Sequence, residues 1–410
     1  MTTAKDRPLL LIVITGQREY REYLLRSIAT EYRIHLVTPV EPTWEKPYLD
    51  GATVVPDTGA DQVVAAAKAL AATADVAGVL SWHEEHIVQA ALAAEALNLP
   101  GTPADAVRRC RDKSATRTTL AAHHLPQPNF ALVGALAEAR AAAARIGYPV
   151  VIKPRAAGGS QGVVLVADER ELTDHFAATR DVPVTDQPIF DRGVLVEEFL
   201  DGPEISIDSA VHNGTVTPVF LARKQIGYPP FFEETGHLVT ADDPLLHDER
   251  LRATLTAVHR ALGYTQGWTH CELKLTATGP KLIEVNARLG GDLIPYLGLL
   301  ATGVDPGLIT AALACGIPPM PVPTHSQTAG IRFHYPPHPD SVVTSITFPT
   351  PLPEGIEQAI PLIPPNTRIS PPVKGNIDSR LALVTATAPT PDRCQTLLTS
   401  TVPTVVLKTP

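Results

Sequence analysis

Residues 281–295, KLIEVNARLGGDLIP, combine three chemically capable side chains with a sharp break in the chain. Glu284, Asn286 and Arg288 recur at every second position, with apolar residues between them. This alternation predicts a β-strand with one polar face, because successive side chains of a strand point to opposite sides. An acid, an amide and a guanidinium in one row can bind a metal ion and a phosphoryl group. The glycine pair at 290–291 would let a substrate approach the backbone closely.

The residues just before this strand predict a partner for it. Residues 276–280, TATGP, suit a five-residue hairpin loop. If Leu275 pairs with Lys281 across that loop, Glu272 lies directly opposite Glu284. Like charges in that arrangement destabilise a sheet. The two carboxylates therefore indicate either a divalent cation between them or one raised pKa.

The same register places His270 opposite Asn286. Two glutamates and one asparagine offer oxygen ligands that suit Mg²⁺, which usually takes few protein ligands and leaves room for phosphate oxygens. The alternative is an ordinary solvated sheet face that carries salt bridges. On the other face of the hairpin, Ile283 and Cys271 are expected to point into the core.

A glycine-rich stretch, VVIKPRAAGGSQGV, predicts a site for an anion. Lys153 ends its apolar strand, where a lone buried ammonium would be costly. The loop that follows can cradle phosphate with its backbone N–H groups, and its members are Gly158, Gly159, Ser160 and Gly162. The spacing matches neither the Walker A motif nor the dinucleotide-binding GxGxxG motif, and a plain hairpin turn explains it equally well.

The segment VLVEEFLDGPEIS predicts a place for a nucleotide base and its ribose. An apolar strand runs into Glu197 and Glu198, then Phe199 and Leu200, then a turn and Glu204. Such a strand end can offer backbone groups to an adenine edge and a carboxylate to ribose hydroxyls. The alternative is an exposed, acidic strand end.

Two cations complete the set of chemically capable residues. Lys113, in CRDKSATR, follows a predicted helix and can reach a phosphate, although a lysine in a helical turn is ordinarily a solvated surface residue. Arg288 can hold a carboxylate or a developing phosphoryl charge through two parallel hydrogen bonds.

The elements that must position these residues fall into distinct regions of the chain. Its 410 residues are too many for one compact core and predict two to three domains. Over residues 1–100, short apolar strands alternate with helices, which predicts a parallel sheet with helices on both faces. A helix over 103–122 is expected to break near Asp112. From Tyr148 the pattern changes to paired antiparallel strands, and the proline- and threonine-rich C-terminal part predicts a small β-rich appendage.

The composition excludes several classes of protein. Hydrophobic residues make up 44% of the chain and charged residues 19%, which is ordinary for a globular protein. With a net charge of −9 and no run of Lys and Arg, we expect no nucleic-acid partner. The apolar run 9–14 is too short for a signal peptide or a membrane span, so we expect a cytoplasmic protein with no membrane association. The four cysteines lack CxxC spacing, which fits reduced thiols and argues against structural zinc.

In this order, the motifs resemble one family, the ATP-grasp carboxylate–amine ligases, over residues 75–320. The stretch SWHEEHIVQAALAAEALNLPGTPADAVRRCRDKSATR resembles the lead-in segment, GYPVVIKPRAAGGSQGV the phosphate clamp, VEEFLDGPEIS the adenine and ribose segment, and HCELKLTATGPKLIEVNARLGG the metal hairpin. The pattern HxExK…IExNxRxGG is most similar to L-amino acid (dipeptide) ligases, including carnosine-synthase-like enzymes. The resemblance implies an α/β chain with an α+β core: an ATP-grasp fold with an N-terminal Rossmann-like parallel-sheet domain and a β-rich C-terminal segment. The implied parts are a Rossmann-like domain (1–112), a small lobe with the phosphate loop (113–196), a large lobe with the metal and substrate site (197–322) and a β-rich subdomain (323–410).

The resemblance also implies roles for individual residues. For ATP, it implies contacts from Lys113, Lys153, Gly158, Gly159, Ser160, Gly162, Glu197, Glu198, Phe199, Leu200 and Glu204. For Mg²⁺, with two ions expected and Mn²⁺ as an alternative, it implies Glu272, Glu284 and Asn286. For catalysis, it implies Arg288, Lys153 and Glu284. For the substrates, it implies His270, Arg288, Gly290, Gly291, Asp292, Glu234 and His237.

Several of the substrate assignments have local alternatives. Asp292 could bind a substrate ammonium or cap a helix that starts near Leu293. Glu234 and His237 are expected in a loop over the site, where solvated loop residues would explain them as well. Further candidates are Arg332, for a substrate carboxylate, and Glu84 and Glu85, where the first domain meets the site.

The reaction that the resemblance implies has two steps. A substrate carboxylate attacks the γ-phosphoryl group of ATP and releases ADP, and an amine then attacks the acyl phosphate to give a peptide or amide bond. Positioning and charge neutralisation would carry the rate. We expect small-molecule amino acids or amines as partners, and a homodimer is a further expectation. The alternatives are a biotin-carboxylase-like or purine-pathway ATP-grasp enzyme, and a non-catalytic nucleotide-binding protein.

Overall fold

The computed structural model describes residues 6–183, 193–372, 374–375 and 377–408. The helices are α1 (Arg18–Glu31), α2 (Ala60–Ala71), α3 (Ile87–Ala96), α4 (Ala104–Arg111), α5 (Lys113–Ala122), α6 (Leu136–Ile146), α7 (Glu169–Arg180), α8 (Glu249–Leu262), α9 (Ile294–Thr302), α10 (Pro306–Ala314) and α11 (Pro391–Ser400). The strands are β1 (Leu9–Val13), β2 (Arg33–Thr38), β3 (Gly51–Val54), β4 (Val76–Leu80), β5 (Phe130–Val133), β6 (Val150–Pro154), β7 (Val164–Val166), β8 (Val194–Glu198), β9 (Glu204–His212), β10 (Thr215–Gly227), β11 (Glu233–Thr240), β12 (Gly267–Thr276), β13 (Gly279–Asn286), β14 (Thr328–His334), β15 (Ser341–Thr347), β16 (Ile356–Pro361), β17 (Arg368–Ile369), β18 (Ala382–Ala388) and β19 (Thr404–Lys408). Among these residues no single helix is long and apolar enough to cross a membrane, and one bent pair, α9 with α10, passes that test by length and composition only.

The N-terminal region forms a parallel sheet in the order β3-β2-β1-β4. Strand β1 is buried along its whole length, because helices cover both faces of the sheet. Leu10 and Ile12 join a core that includes residues of α1 and α10, whereas Leu9 and Leu11 join a core with α2 and α3. The parallel sheet that the sequence predicted is therefore confirmed. Its strand order reverses between β1 and β4, and open sheets of this kind bind ligands in the crevice at that point.

The predicted helix break near Asp112 separates α4 from α5. The side chain of Asp112 accepts hydrogen bonds from the backbone N–H groups of Ser114 and Ala115 and caps α5. Arg155 holds the same carboxylate with two hydrogen bonds of 2.9 and 2.6 Å. Lys113 is thereby the first residue of α5, and its side chain is buried.

A second sheet, antiparallel, has the order β5-β8-β6-β7. Its core includes residues of α6 and α7, which cover the sheet. The strands β6 and β7 pair with each other and are joined by the glycine-rich loop, as the sequence predicted. Strand β8 lies between β5 and β6, so it carries the EEFL motif into the middle of the sheet.

The largest sheet has eight strands in the order β13-β12-β9-β10-β11-β14-β18-β16. Its last three strands come from the C-terminal part of the chain, which was expected to form a separate small appendage. That part is β-rich, as predicted, but most of it extends the sheet that carries the metal hairpin, and only β15, β17 and β19 form a further small sheet. The four-part division of the chain stays a proposal.

The hairpin of β12 and β13 has a tighter turn than the sequence predicted. Thr276 pairs with Gly279 and Leu275 with Pro280, so the expected pairing of Leu275 with Lys281 is wrong. A β-bulge beside Glu284 restores the register: Leu273 pairs with Leu282, whereas Glu272 pairs with Glu284. The extra residue in this bulge is Ile283, which follows from the two pairings.

The bulge changes which side chains share a face. Ile283 lines the same cavity as Glu284, instead of pointing into the core as expected, and Leu282 takes the core position. The guanidinium of Arg117 donates to the backbone carbonyls of Leu282 and Ile283, at 3.2 and 2.6 Å. Carbonyl groups that a bulge leaves out of the ladder need such a partner when they are buried.

Candidate active site

A polar cavity of about 530 Å³ lies where the parallel sheet, the glycine-rich loop and the eight-stranded sheet meet. A smaller cavity of about 130 Å³ adjoins it and shares the loop residues and Arg288 as walls. The carboxyl ends of β1 and β4 reach the larger cavity through Gly16 and Trp82. The site therefore occupies the crevice at the point where the strand order of the parallel sheet reverses.

The two carboxylates of the hairpin face each other, as the sequence predicted. Glu272 pairs with Glu284 across the two strands, and each carboxylate is neutralised by a lysine. Lys113 lies 2.9 Å from Glu284, and Lys224 lies 3.0 Å from Glu272. Burial acts to raise the pKa of Glu272, but the Lys224 charge and a hydrogen bond from His270 outweigh it and hold the pKa well below its usual value. Glu272 is thus available as an anion.

The amide of Asn286 completes the predicted oxygen set. It is buried, lies opposite His270 in the ladder and lines the smaller cavity together with both glutamates. Two carboxylates and an amide that converge on one wall have the donor chemistry for Mg²⁺. The ammonium groups of Lys113 and Lys224 already compensate this negative charge, and their presence supports the fit because it shows that the carboxylates need a cationic partner.

Sequence reasoning missed Lys224, which lies on β10. Its side chain is fully buried, and three carboxylates surround the ammonium: Glu204 at 3.2 Å, Glu234 at 2.6 Å and Glu272 at 3.0 Å. Burial acts to lower the pKa of this lysine, but the three charges raise it well above the usual value. The signal in the sequence was a lysine within the apolar strand VFLARKQIG, the same signal that singled out Lys153.

Glu197 has a different environment from the one expected. It was expected beside a nucleotide base, but its carboxylate is buried between Arg117, at 2.7 Å, and Lys153, at 2.8 Å. Burial acts to raise the pKa of Glu197, but the two cations hold it at about 2. Glu197 therefore positions Lys153, which lines the smaller cavity.

The other residues of that segment do line the smaller cavity, as expected. Phe199 and Leu200 follow the last residue of β8 and, with Val151 and Ile283, give the cavity an apolar wall. Glu198 lies at the rim and pairs with Lys281 at 3.2 Å. Glu204 pairs with Lys224 and Lys274, both at 3.2 Å. This narrow apolar space, bordered by strand-end backbone, suits a flat aromatic ring.

The glycine-rich loop lines both cavities. Gly159, Ser160 and Gly162 have positive φ values of 61°, 55° and 70°, which only glycine adopts at little cost. At Gly162 a side chain would also collide, because an added Cβ would lie 2.5 Å from Val182. Lys113 donates to the carbonyl of Ala157 at 2.6 Å and so links the loop to the hairpin carboxylates.

Arg288 joins the eight-stranded sheet to the N-terminal region. Its guanidinium pairs closely with Glu84, and Arg111 approaches the same carboxylate at 3.3 Å. Burial acts to raise the pKa of Glu84, but Arg288 and Arg111 lower it to about 2. The open question about the two glutamates of SWHEEH is partly answered: Glu84 holds Arg288, and Glu85 lines the cavity.

Two expectations about the far wall of the cavity are wrong. Glu234 and His237 belong to strand β11 instead of a loop, because residues 233–240 pair with both β10 and β14. Asp292 does not cap a helix: residues 292 and 293 both have left-handed backbone, with φ of 51° and 60°. Helix α9 therefore begins only at Ile294.

The carboxylate of Asp292 instead binds Arg380, a residue that no sequence pattern indicated. The two groups form a bidentate pair at 2.6 and 2.8 Å, and the guanidinium stacks on Phe333 at 3.7 Å. His237 lies 3.3 Å from the same aspartate and 3.2 Å from Glu234. Burial acts to lower the pKa of His237, but its two acidic neighbours raise it.

Arg332 was a candidate for a substrate carboxylate, and its strand points it elsewhere. On β14 it shares a face with Gly330, whose added Cβ would contact Leu398 and Cys394 of α11. Residues of α11 pack on that side of the sheet, whereas the cavity lies on the other. The C-terminal arginine at the cavity is Arg380.

His270 is anchored by a carboxylate below the hairpin. Its Nδ1 lies 2.8 Å from Asp208, which also accepts hydrogen bonds from the Trp268 ring and the backbone N–H of Gly290. Burial acts to lower the pKa of His270, but Asp208 and then Glu272 raise it to about 9. The glycine at 290 is required here, because an added Cβ would lie 2.8 Å from His270. Gly291 faces open space.

Besides the predicted oxygen set, three groups of side chains among the residues that the structure describes could hold a cation. Each offers three ligand atoms within 4.8 Å of one another: His83, Glu85 and His86; Glu234, His237 and Asp292; and Glu204, Glu234 and Glu272. The last two are already neutralised by Arg380 and Lys224.

Comparisons with known proteins agree with this geometry. The profile of a family described as an ATP-grasp domain matches residues 146–295. Human carnosine synthase 1 is 30% identical over 269 residues, which are 62% of this chain and 32% of that protein. Alanine–anticapsin ligase of Bacillus subtilis is 30% identical over 260 residues, 58% of this chain and 53% of that protein. The chain thus spans between about a third and a half of these curated relatives. An L-amino acid ligase structure from Bacillus licheniformis superposes with a TM-score of 0.82 at 23% identity, covering 99% of this chain and 100% of that one.

Proposed function

Because the chain is a member of the ATP-grasp superfamily, we propose that it is an ATP-dependent carboxylate–amine ligase. It joins an amino acid or similar carboxylate to an amine and releases ADP and phosphate. The observation that carries this proposal is the pair Glu272 and Glu284, which face each other beside Lys113, between an apolar slot and Arg288. The names of the relatives, a carnosine synthase, an alanine–anticapsin ligase and an L-amino acid ligase, support it.

The smaller cavity is the proposed nucleotide site. Adenine occupies the apolar slot and meets the backbone of Phe199 and Leu200, and Glu204 accepts from the ribose hydroxyls. Lys113 and Lys153 bind phosphate oxygens, and the loop at 158–162 covers them with backbone N–H groups. Glu197 acts indirectly, because it holds Lys153 in place.

The oxygen set of the hairpin is the proposed metal site. Glu272, Glu284 and Asn286 would hold Mg²⁺, with two ions proposed and Mn²⁺ as an alternative. When bound, the metal would neutralise charge on the transferred phosphoryl group. Lys113 and Lys224 now neutralise these carboxylates, and a bound metal would share that charge compensation with them.

The proposed reaction places the substrates in the larger cavity. Arg288, held by Glu84, orients the donor carboxylate so that it attacks the γ-phosphoryl group, and then binds the acyl phosphate. The amine attacks the acyl carbon from the side of the glycine pair at 290–291. Water must be excluded at that stage, because it would hydrolyse the acyl phosphate, and the glycine-rich loop is the element proposed to close. The protein supplies positioning and charge instead of a side-chain nucleophile.

The experiment that tests this function measures the four possible products of ATP cleavage. The protein is incubated with Mg²⁺–ATP and amino acids, singly and in pairs, while ADP, phosphate, AMP and pyrophosphate are monitored. ADP and phosphate release that requires two amino acids is the expected result. AMP with pyrophosphate would overturn the acyl-phosphate mechanism, and a requirement for bicarbonate would indicate a carboxylase. Nucleotide binding without turnover would indicate a non-catalytic protein.

A further inference from the structure

The larger cavity is lined by four arginines, and three of them have a carboxylate partner. Arg111 and Arg288 share Glu84, and Arg380 binds Asp292. Arg21 is the exception: among residues 6–183, 193–372 and 377–408, no carboxylate lies within ion-pair distance of its guanidinium. Its neighbours are the backbone carbonyl of Gly290, to which it donates at 3.3 Å, and the Tyr23 hydroxyl, neither of which is a carboxylate.

The position of Arg21 removes it from bulk water without giving it a counter-ion. It lies in the first turn of α1, directly beyond the crevice of the parallel sheet. Burial lowers the pKa of Arg21, and this effect together with the charge of Arg288 outweighs the opposing influence of Tyr23 and of the more distant Asp292 and Asp208. A guanidinium carries five N–H donors, and Arg21, which lines the cavity, has more donors than its protein partners use. A partly buried cation with so little compensation is a binding site for an anion.

The anion bound there must lie beside the reacting centre. Arg21 contacts the carbonyl of Gly290, two residues beyond Arg288, and next to it Gly291 has no atom within 4 Å of an added Cβ. A ligand held by Arg21 would therefore extend over Gly291 toward the group held by Arg288.

We propose that Arg21 binds the carboxylate of an amino acid that serves as the acceptor. This inference rests on the function proposed above and assigns the residue that recognises the carboxylate of the acceptor. The donor carboxylate cannot be the anion in question, because it is consumed at Arg288 when it is phosphorylated. The product is therefore a dipeptide that keeps a free carboxylate at Arg21.

The bond-forming step balances with these groups. The acceptor amine attacks the acyl carbon and a C–N bond forms. The C–O bond to phosphate breaks, and phosphate leaves with the electron pair and takes the proton that the amine loses. Arg21 touches only the acceptor carboxylate, so its contribution is to position the amine.

The experiment uses the variant Arg21→Gln and compares nucleophiles. A donor is first identified as an amino acid that gives a hydroxamate with Mg²⁺–ATP and hydroxylamine, which is a nucleophile without a carboxylate. The acceptor amino acid that pairs with it is then compared with its own carboxamide. In Arg21→Gln, kcat/KM for the free amino acid, relative to the hydroxylamine rate, should fall roughly ten- to a hundredfold, which is the loss of a charged hydrogen-bonded pair. The preference for the acid over its carboxamide should fall by the same factor.

The matched control is Arg18→Gln, three residues earlier on the same helix. Arg18 is exposed and pairs with Glu22 at 2.9 Å, so this variant should behave as the wild type with every nucleophile. The proposal would be overturned if the Arg21→Gln variant still preferred the free amino acid over its carboxamide as strongly as the wild type does. It would also be overturned if the variant lost as much activity with hydroxylamine as with the amino acid. No hydroxamate and no ADP from the wild type would instead overturn the ligase function on which the proposal rests.

Discussion

Replacing Glu197 by glutamine should weaken the sheet that carries the glycine-rich loop, whereas the same change at Glu198 should not. The carboxylate of Glu197 is buried with Arg117 at 2.7 Å and Lys153 at 2.8 Å. Glutamine keeps the shape but removes the charge, and so it leaves two buried cations without an anion. The carboxylate of Glu198 is about a third exposed and has a single ion pair, with Lys281 at 3.2 Å.

Two independent arguments give the size of the effect. Breaking a buried ion pair by removing one partner typically costs about 3–5 kcal/mol. The pKa of Glu197 lies at about 2, against about 4.3 for an unperturbed glutamate, and this difference corresponds to about 3 kcal/mol. Because the folded-state pKa is the lower one, this stabilisation is present above about pH 4.3 and is lost as the pH falls toward 2. An exposed pair such as that of Glu198 contributes at most about 1 kcal/mol.

Native-state amide hydrogen exchange is the appropriate assay, because a chain with several sheets need not unfold in one step. At neutral pH, Glu197→Gln should accelerate exchange in β6 and β8 by roughly a hundredfold or more, since each 1.4 kcal/mol corresponds to about tenfold. Glu198→Gln should change it by less than about fivefold. Equal exchange rates in the two variants would refute the reasoning, because they would mean that the buried triad contributes no more than a surface pair.

Three further predictions concern the hairpin. Glu284→Gln should reduce ADP release to below about 1% of wild type, because one of two metal-binding carboxylates is lost; turnover within tenfold of wild type in an ADP assay would rule out the metal assignment. Gly290→Ala should lower the thermal unfolding temperature, since its Cβ would lie 2.8 Å from the His270 ring. Gly291→Ala, whose Cβ would have no atom within 4 Å, should leave that temperature unchanged in the same scan. Equal shifts in the two variants would contradict this explanation. The pKa of His270, at about 9, lies above the unfolded value of about 6.5. The stabilisation of the folded state by protonated His270 is therefore complete below about pH 6.5 and is lost as the pH rises through about 9. Asp208→Asn should return this pKa toward 6.5 in an NMR titration, and an unchanged value would show that Asp208 is not its cause.

The local pattern of the sequence was sufficient for the motifs and for most of their secondary structure. The parallel sheet, the break at Asp112 and the antiparallel pair around the glycine-rich loop all follow from periodicity and caps, which depend on residues close together in the chain. The facing of Glu272 and Glu284 was also predicted from alternation. It came out right although the turn was misjudged, because the one-residue bulge at Ile283 compensated for the one-residue shift in register that the shorter turn introduced.

Partners that are distant in the chain were beyond such reasoning. The sequence shows Glu197 and Glu198 as two equivalent acids, and only the tertiary structure, which brings the Arg117 side chain of α5 to β8, makes one a buried partner of Arg117, 80 residues away. Arg380 meets Asp292 across 88 residues, and Arg21 reaches Gly290 across 269. Nothing in the neighbourhood of these arginines distinguishes them from surface residues.

The sequence by itself therefore determined which chemical groups this protein brings to its site: facing carboxylates, a glycine-rich loop and cations suited to phosphate. The tertiary structure decided which of those groups are already neutralised and which remain available to a ligand. The physical reason is that side-chain alternation is a property of the local backbone, whereas burial and charge pairing depend on which strands and helices meet in three dimensions. The same structure that pairs Arg111, Arg288 and Arg380 with acids leaves Arg21 without a carboxylate partner among the described residues.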